Sequence, residues 1–118
     1  MLDFASMSIE LSFKDEKLRT ICESPVSSKR KLGDEIARTL RARLADLRAI
    51  GSPSEFVRMG LAKFDQNSDV QMVIPIGENN VVVTTIGHRP VPRFANGQVN
   101  WGQVSRLKIL SIGCADES

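Results

Sequence analysis

The 118 residues predict an α+β fold, and three patterns carry that expectation. Ile9, Leu11 and Phe13 alternate with Ser8, Glu10 and Ser12, the period of a half-buried strand. Leu32, Ile36, Leu40, Leu44 and Leu47 recur at steps of four, four, four and three, one stripe of a long helix. A period-2 set of Val70, Met72, Ile74 and Ile76 then precedes a β-branched run from Val81 to Ile86. A strand, a pair of helices and an antiparallel meander describe helices packed on one face of a small sheet.

The segment 1–7 reads as a leader ahead of the fold, with Met1 or Met7 as the natural start. Ser12 and Asp15 have capping-box spacing before a short helix, Lys14 to Glu23, that turns Leu18, Ile21 and Cys22 inward. Ser24-Pro25 ends it, because the residue before proline is pushed out of the helical region. The long helix runs from Ser28 to Gly51, with Gly33 near its start. Ala37, Ala45 and Ile50 widen its apolar stripe, Gly51 caps it and Pro53 stops it. Its other faces carry Lys29, Arg30, Lys31, Arg38, Arg41, Arg43 and Arg48 against Asp34, Glu35 and Asp46. The helix thus has a basic outer face that is either simply solvated or turned to a partner.

Ser52-Pro53-Ser54-Glu55 is a second capping box with proline at the first helical position, opening a further turn over Phe56 and Met59. Gly60 to Asp69 is polar and reads as a loop. Gly77 to Asn80 turns one hairpin strand into the next, since Gly and Asn tolerate positive φ. The second strand reads as buried on both faces, and Pro75 marks an edge or a bulge in the first. Gly87 to Phe94 is a proline-bounded loop and Asn96-Gly97 a tight turn. The last strand, Val104 to Ile112, places Leu107 and Ile109 on one face and Leu110 and Ile112 on the other. Residues 114–118 form a tail, and the N-terminal strand joins an edge of the meander. The whole, 1–118, is one domain.

Composition excludes several functions. An apolar fraction of 42% and a charged fraction of 25% are those of an ordinary globular domain, and no apolar run approaches the ~20 residues of a membrane span. Cys22 and Cys114 lack metal-ligand spacing and read as reduced thiols of a cytosolic protein. His88 is the only histidine, so no histidine cluster can hold a metal, and no cofactor or metal is expected. The formal charge of +2 permits a nucleic-acid partner without arguing for one.

Three segments carry a resemblance. IELSFKDEKLRTICES, KRKLGDEIARTLRARLADLRAIGSPSEF and RPVPRFANGQVNWGQVSRLKILSIG resemble the RelE/ParE superfamily, in particular HigB-type toxins of type II toxin–antitoxin systems. The resemblance covers most of the chain to Gly113 and is weakest between Arg58 and Thr85. It implies a RelE-like fold, an N-terminal strand and α-helical hairpin on a small, twisted, mostly antiparallel sheet. It implies a cytoplasmic toxin that inhibits translation as a ribosome-dependent mRNA endoribonuclease. The implied partners are the ribosome with its mRNA and a helix-turn-helix antitoxin of the Xre type, which binds operator DNA.

The family's usual chemical residues are not where its pattern puts them. Relatives tend to carry a His-x-x-Lys pair before the hairpin; here stands Ala62-Lys63-Phe64-Asp65. They begin the second hairpin strand with Tyr-Arg; here stands Asn80-Val81. A histidine often follows their last strand; here the residues are Cys114-Ala115-Asp116, and the chain has no tyrosine. His88 and Arg89 remain as the candidate catalytic pair, because metal-free RNA cleavage needs proton transfer and a cation on the phosphate. Arg58, Lys63 and Arg93 are candidates for RNA phosphate contact. Trp101 either stacks a base or packs at the start of the last strand. Arg38, Arg41 and Arg48 face RNA, an antitoxin or neither. Two other functions fit the same resemblance: a catalytically degenerate homologue that binds the antitoxin and co-represses its operator, or a ParE-like toxin that poisons another target by binding.

Overall fold

The computed structural model describes residues 9–114; the leader expected over 1–7 and the tail beyond Cys114 lie outside the described residues. Cys114 itself, expected in that tail, ends a strand. The chain is α+β. Strand β1 (Glu10–Phe13) leads into helices α1 (Glu16–Glu23), α2 (Pro25–Leu32), α3 (Asp34–Ala49) and α4 (Pro53–Arg58). Strands β2 (Lys63–Phe64), β3 (Gln71–Pro75), β4 (Asn80–Ile86) and β5 (Arg106–Cys114) follow, with a short 3-10 turn at Trp101–Gln103. The sheet order is β1-β5-β4-β3-β2, antiparallel except for β1, which lies parallel to β5 with Glu10 beside Arg106. The first strand thus joins the edge of the meander, as expected from its place ahead of the helices.

The helical layer differs from the expected hairpin. Asp15, not Ser12, caps α1: its Oδ1 accepts from Leu18 N at 2.9 Å, while Ser12 is spent in the strand beside Lys108. Ser24 ends α1 and at once caps α2, its Oγ accepting from Ser27 N at 3.2 Å with Pro25 in the first helical position. The single long helix is two helices. Gly33, with φ 89° and ψ 162°, stops α2 and starts α3, in a region of backbone space open to glycine and costly to any other residue. Its N–H donates to Lys29 O and its carbonyl accepts from Ala37 N, so the break leaves both of its groups bonded. No atom outside its neighbours lies within 4 Å of a Cβ at this position, so a substitution is penalised by backbone alone. Gly33→Ala is expected to lower the unfolding free energy by about 1–3 kcal/mol, read by urea denaturation. A rise instead would mean that α2 and α3 fuse into one helix without penalty.

The stripe still does what its period implies. Leu40, Leu44 and Leu47 are buried with Leu18, Ile21 and Phe56, against Met72, Ile74, Val82, Leu107 and Ile109 from the sheet. Ser52 caps α4 as expected, accepting from Glu55 N, and Phe56 is wholly buried, whereas Met59 lies past the helix end and is exposed. The β3–β4 turn does not use positive φ; a Cβ at Gly77 would instead meet the tip of the Ile36 side chain, Cδ1, which would have to swing aside. No described helix is long and apolar enough to cross a membrane.

Three corrections concern the sheet. The loop expected from Gly60 to Asp69 contains β2, which pairs Lys63 with Val73 and Phe64 with Met72. Strand β4 is buried on one face only: Val82, Thr84 and Ile86 are covered, Val81, Val83 and Thr85 half-covered. Thr84 tolerates burial because its hydroxyl donates to Met72 O at 2.9 Å. In β5, Val83 pairs with Ser111 but Thr84 pairs with Ile109, so Leu110 is the extra residue of a bulge. That residue reverses the alternation, and Ile112 joins Leu107 and Ile109 on the covered face, opposite to the expectation. Pro75 lies beyond the two residues of β2, where no further ladder partner is lost, in keeping with the expected edge position.

Candidate functional site

The register of the sheet fixes which side chains share its less covered face. Lys63 lies opposite Val73, Val73 opposite Val83, and Val83 opposite Ser111, a row across four strands. The neighbouring row is Gln71, Thr85, Lys108 and Ser12. Strand alternation sends these residues away from the helical layer. A hollow of about 380 Å³ opens here, floored by Val73, Val81 and Val83 and rimmed by Lys63, Asp65, Gln71 and Ser111. The bulge at Leu110 contributes directly, because it alone brings Ser111 opposite Val83.

The hollow sets one cation and one carboxylate, with polar groups, over an apolar floor. Lys63 and Asp65 are two apart on one extended segment, which continues past β2 through a bond from Asp65 N to Gln71 O at 3.0 Å. They therefore point the same way. Asp65 Oδ1 accepts from Asn67 N at 2.8 Å, which orients the carboxylate. Among the described residues neither Lys63 nor Lys108 is held in an ion pair. Their strands are three ladder spacings apart, roughly 14 Å. Lys63 at the rim of the hollow, with Lys108 in the adjoining row on the same face, suits a phosphodiester chain laid across the strands.

The other residues expected to act together are not brought together. His88 follows β4, and its Nε2 accepts from Ser105 N at 2.8 Å and Arg106 N at 3.2 Å, with Ser105 Oγ at 3.5 Å. Accepting at Nε2 puts the ring proton on Nδ1. The ring is a clamp between the end of β4 and the start of β5. His88→Ala is expected to lower stability by about 1 kcal/mol, because two backbone N–H groups lose their acceptor; thermal unfolding checks it, and no change would mean that water replaces the ring fully. Arg89 is exposed beside the clamp. Arg93 Nη1 donates to Asp69 Oδ2 at 2.9 Å and to Gly97 O at 2.7 Å, tying the ribbon over residues 93–99 to the loop before β3. Arg58 pairs with Glu55 on the exposed side of α4 at 2.9 Å. Of the five candidates only Lys63 faces the hollow. Asp65, Gln71 and Ser111 were not legible as site residues, since their shared face depends on a two-residue strand and a bulge.

Cys22 is free and set against the core, and burial pushes its thiol up to about 11, against a smaller lowering pull from Arg48. It is no nucleophile at neutral pH. Because the folded-state value lies above the ordinary 9.0, the stability carried by the neutral thiol is full below pH 9.0 and is lost as pH rises through about 11. Across that window the wild type is expected to lose about 1 kcal/mol more than Cys22→Ala, the shift being discounted because the thiol is partly open to solvent, read as the difference between their urea midpoints. Parallel pH profiles would remove the thiol as the cause. Among the described residues no group of three or more His, Cys, Asp or Glu is placed to hold a metal. Comparison with protein-family models, curated proteins and solved structures finds no match to this chain.

Proposed function

We propose that this chain is the cytoplasmic toxin of a type II toxin–antitoxin pair, of the RelE/HigB kind, and that it cleaves mRNA in the ribosomal A site at the open sheet face. The observation that carries the reading is Lys63 and Asp65 side by side at the rim of the hollow, with Ser111 across it. The element order of the chain, with β1 alongside β5, supports it as well. In this mechanism Asp65 takes the proton of a ribose 2′-hydroxyl. The 2′-oxygen bonds to phosphorus, the bond from phosphorus to the 5′-oxygen breaks, and water protonates that leaving oxygen. The products are a 2′,3′-cyclic phosphate and a free 5′-hydroxyl. Lys63 holds the extra negative charge of the pentavalent phosphate.

The antitoxin has a surface suited to it. Lys17 on α1 and Arg30 and Lys31 on α2 line a groove of about 560 Å³ over the buried Ile21, and among the described residues none of the three is in an ion pair. An acidic amphipathic helix of a helix-turn-helix antitoxin fits that charge and floor, and operator DNA is reached through that partner.

A second reading keeps the partner and drops the chemistry. His88, the one histidine, has its Nε2 engaged by backbone, which favours a degenerate homologue that binds antitoxin and co-represses. Induced expression with and without the adjacent reading frame decides between them. Growth arrest with new mRNA ends, relieved by the neighbour, is the result expected of the nuclease. Unimpaired growth together with co-purification of the neighbour would replace it by the binding module.

A further inference from the structure

We propose that the cleft between β2 and the ribbon leading to Trp101 binds one unstacked nucleobase of single-stranded RNA. The cleft measures about 510 Å³, within the range of small-molecule sites. One wall is aromatic: the rings of Phe64 and Trp101 lie 4.6 Å apart, centre to centre, at 31°. Phe64 keeps 37% of its surface in solvent although it stands on the covered side of the sheet, opposite Met72. An aromatic pair at the lip of a cleft offers a face on which any base can stack.

The opposite wall is built of hydrogen-bonding groups. Gln98 N donates to Asn96 Oδ1 at 3.0 Å, and Asn96 Nδ2 donates to Gln98 Oε1 at 3.4 Å. That pairing leaves the Gln98 amide nitrogen as an outward donor. Asp69 also lines the cleft, oriented by Arg93 through Oδ2, and among the described residues its Oδ1 is left without a side-chain partner as an acceptor. A base has two apolar faces and an edge of mixed donors and acceptors, and single-stranded RNA is read by presenting both. An apolar ligand would leave the amides and the carboxylate without partners; a bare phosphate would meet Asp69 and gain nothing from the rings.

The position of the cleft gives it a strand to read. Phe64 follows Lys63 on β2, and successive residues of a strand point to opposite faces. Strand β2 is an edge of the sheet. A chain draped over that edge sets a phosphate on Lys63 and the adjoining base against Phe64 and Trp101. The inference rests on the RNA reading of the open face only for its choice of polymer; base binding needs no cleavage.

Trp101 is the only tryptophan, so intrinsic fluorescence reports on this cleft alone. The probe is a short single-stranded oligoribonucleotide with 2′-O-methyl sugars, which cannot be cut through the 2′-hydroxyl. Saturable quenching is expected, weakened roughly tenfold or more in Phe64→Ala and several-fold in Gln98→Ala, with circular dichroism showing both variants folded. Absence of saturable quenching overturns the proposal. So does equal affinity for an abasic oligonucleotide of the same length, and so does unchanged affinity in Phe64→Ala. Tighter binding of the matching deoxyoligonucleotide overturns the choice of RNA. Quenching without growth arrest in induced cells retains the base cleft and rejects the nuclease; growth arrest without quenching does the reverse.

Discussion

Lys63→Ala and Asp65→Ala are each expected to lower RNA cleavage by about 10²–10⁴-fold, the usual share of a positioned proton-transfer group or of a cation on the reacting phosphate. The two losses should not add, because both residues serve one transition state. Their stability effects are expected to be small. Lys63 is exposed, and among the described residues no ion pair holds it. Asp65 anchors only a two-residue turn to Asn67. Unfolding midpoints near wild type together with lost cleavage on ribosomes would separate chemistry from folding. Wild-type cleavage by both variants would move the reaction off the open face and return attention to His88 and Arg89. Lys63→Arg provides a further distinction: a charge that merely attracts RNA survives the change, whereas a precisely aimed ammonium does not.

Phe56→Ala is expected to lower the unfolding free energy by about 3–5 kcal/mol, at the top of the range for single truncations among the described residues. The ring is wholly buried, and it is carried by a helix of six residues. So short a helix has little stability of its own and depends on its anchor. Leu61 N also donates to Phe56 O, so the backbone that leads toward β2 is tied to the same residue. Loss of the ring should therefore loosen β2 as well as the core. Urea denaturation measures the first effect. Hydrogen exchange at Lys63 and Asp65, whose amides face β3, measures the second, and protected amides there would show that β2 is held by β3 alone. Relative to a domain stability of about 5–15 kcal/mol, the substitution brings the fold close to its limit.

Much of this architecture was legible in the residues. Apolar stripes, capping residues and β-branched runs are local signals, and they gave the α+β class, the inward Leu40, Leu44 and Leu47, the cap at Ser52 and the place of β1 at the edge of the meander, though not its parallel direction. What was not legible depended on context. Gly33 at the start of a leucine stripe is compatible with a continuous helix or with a break; Ser24 and Pro25, which start α2 early, decide for the break. Strand β2 is two residues long and has no period of its own, since only its ladder with β3 defines it. Leu110 looks like any apolar strand residue until its lack of a partner shows it to be a bulge. The candidate site suffered from both. Lys63 was legible as a candidate for phosphate contact, but its companions Asp65 and Ser111 share its face only through that short strand and that bulge. His88 stood out because it is chemically versatile and solitary, and neither property says that backbone amides occupy its ring.

The parallel ladder of β1 and β5 bears on how the protein is made. Glu10 and Arg106 are nearly a chain length apart, so closing that pair is slow compared with the helices between them. Synthesis proceeds from the N-terminus, and β1 leaves the ribosome long before its partner. Until β5 follows, β1 has no ladder and β4 presents an uncovered edge, both of them invitations to pair with another chain. Ser111 arrives with β5 too, and with it the far rim of the hollow. A nascent chain short of Arg106 therefore lacks both the strand that joins β1 to β4 and the far rim of the hollow, and translation of the last strand is the step that completes the sheet.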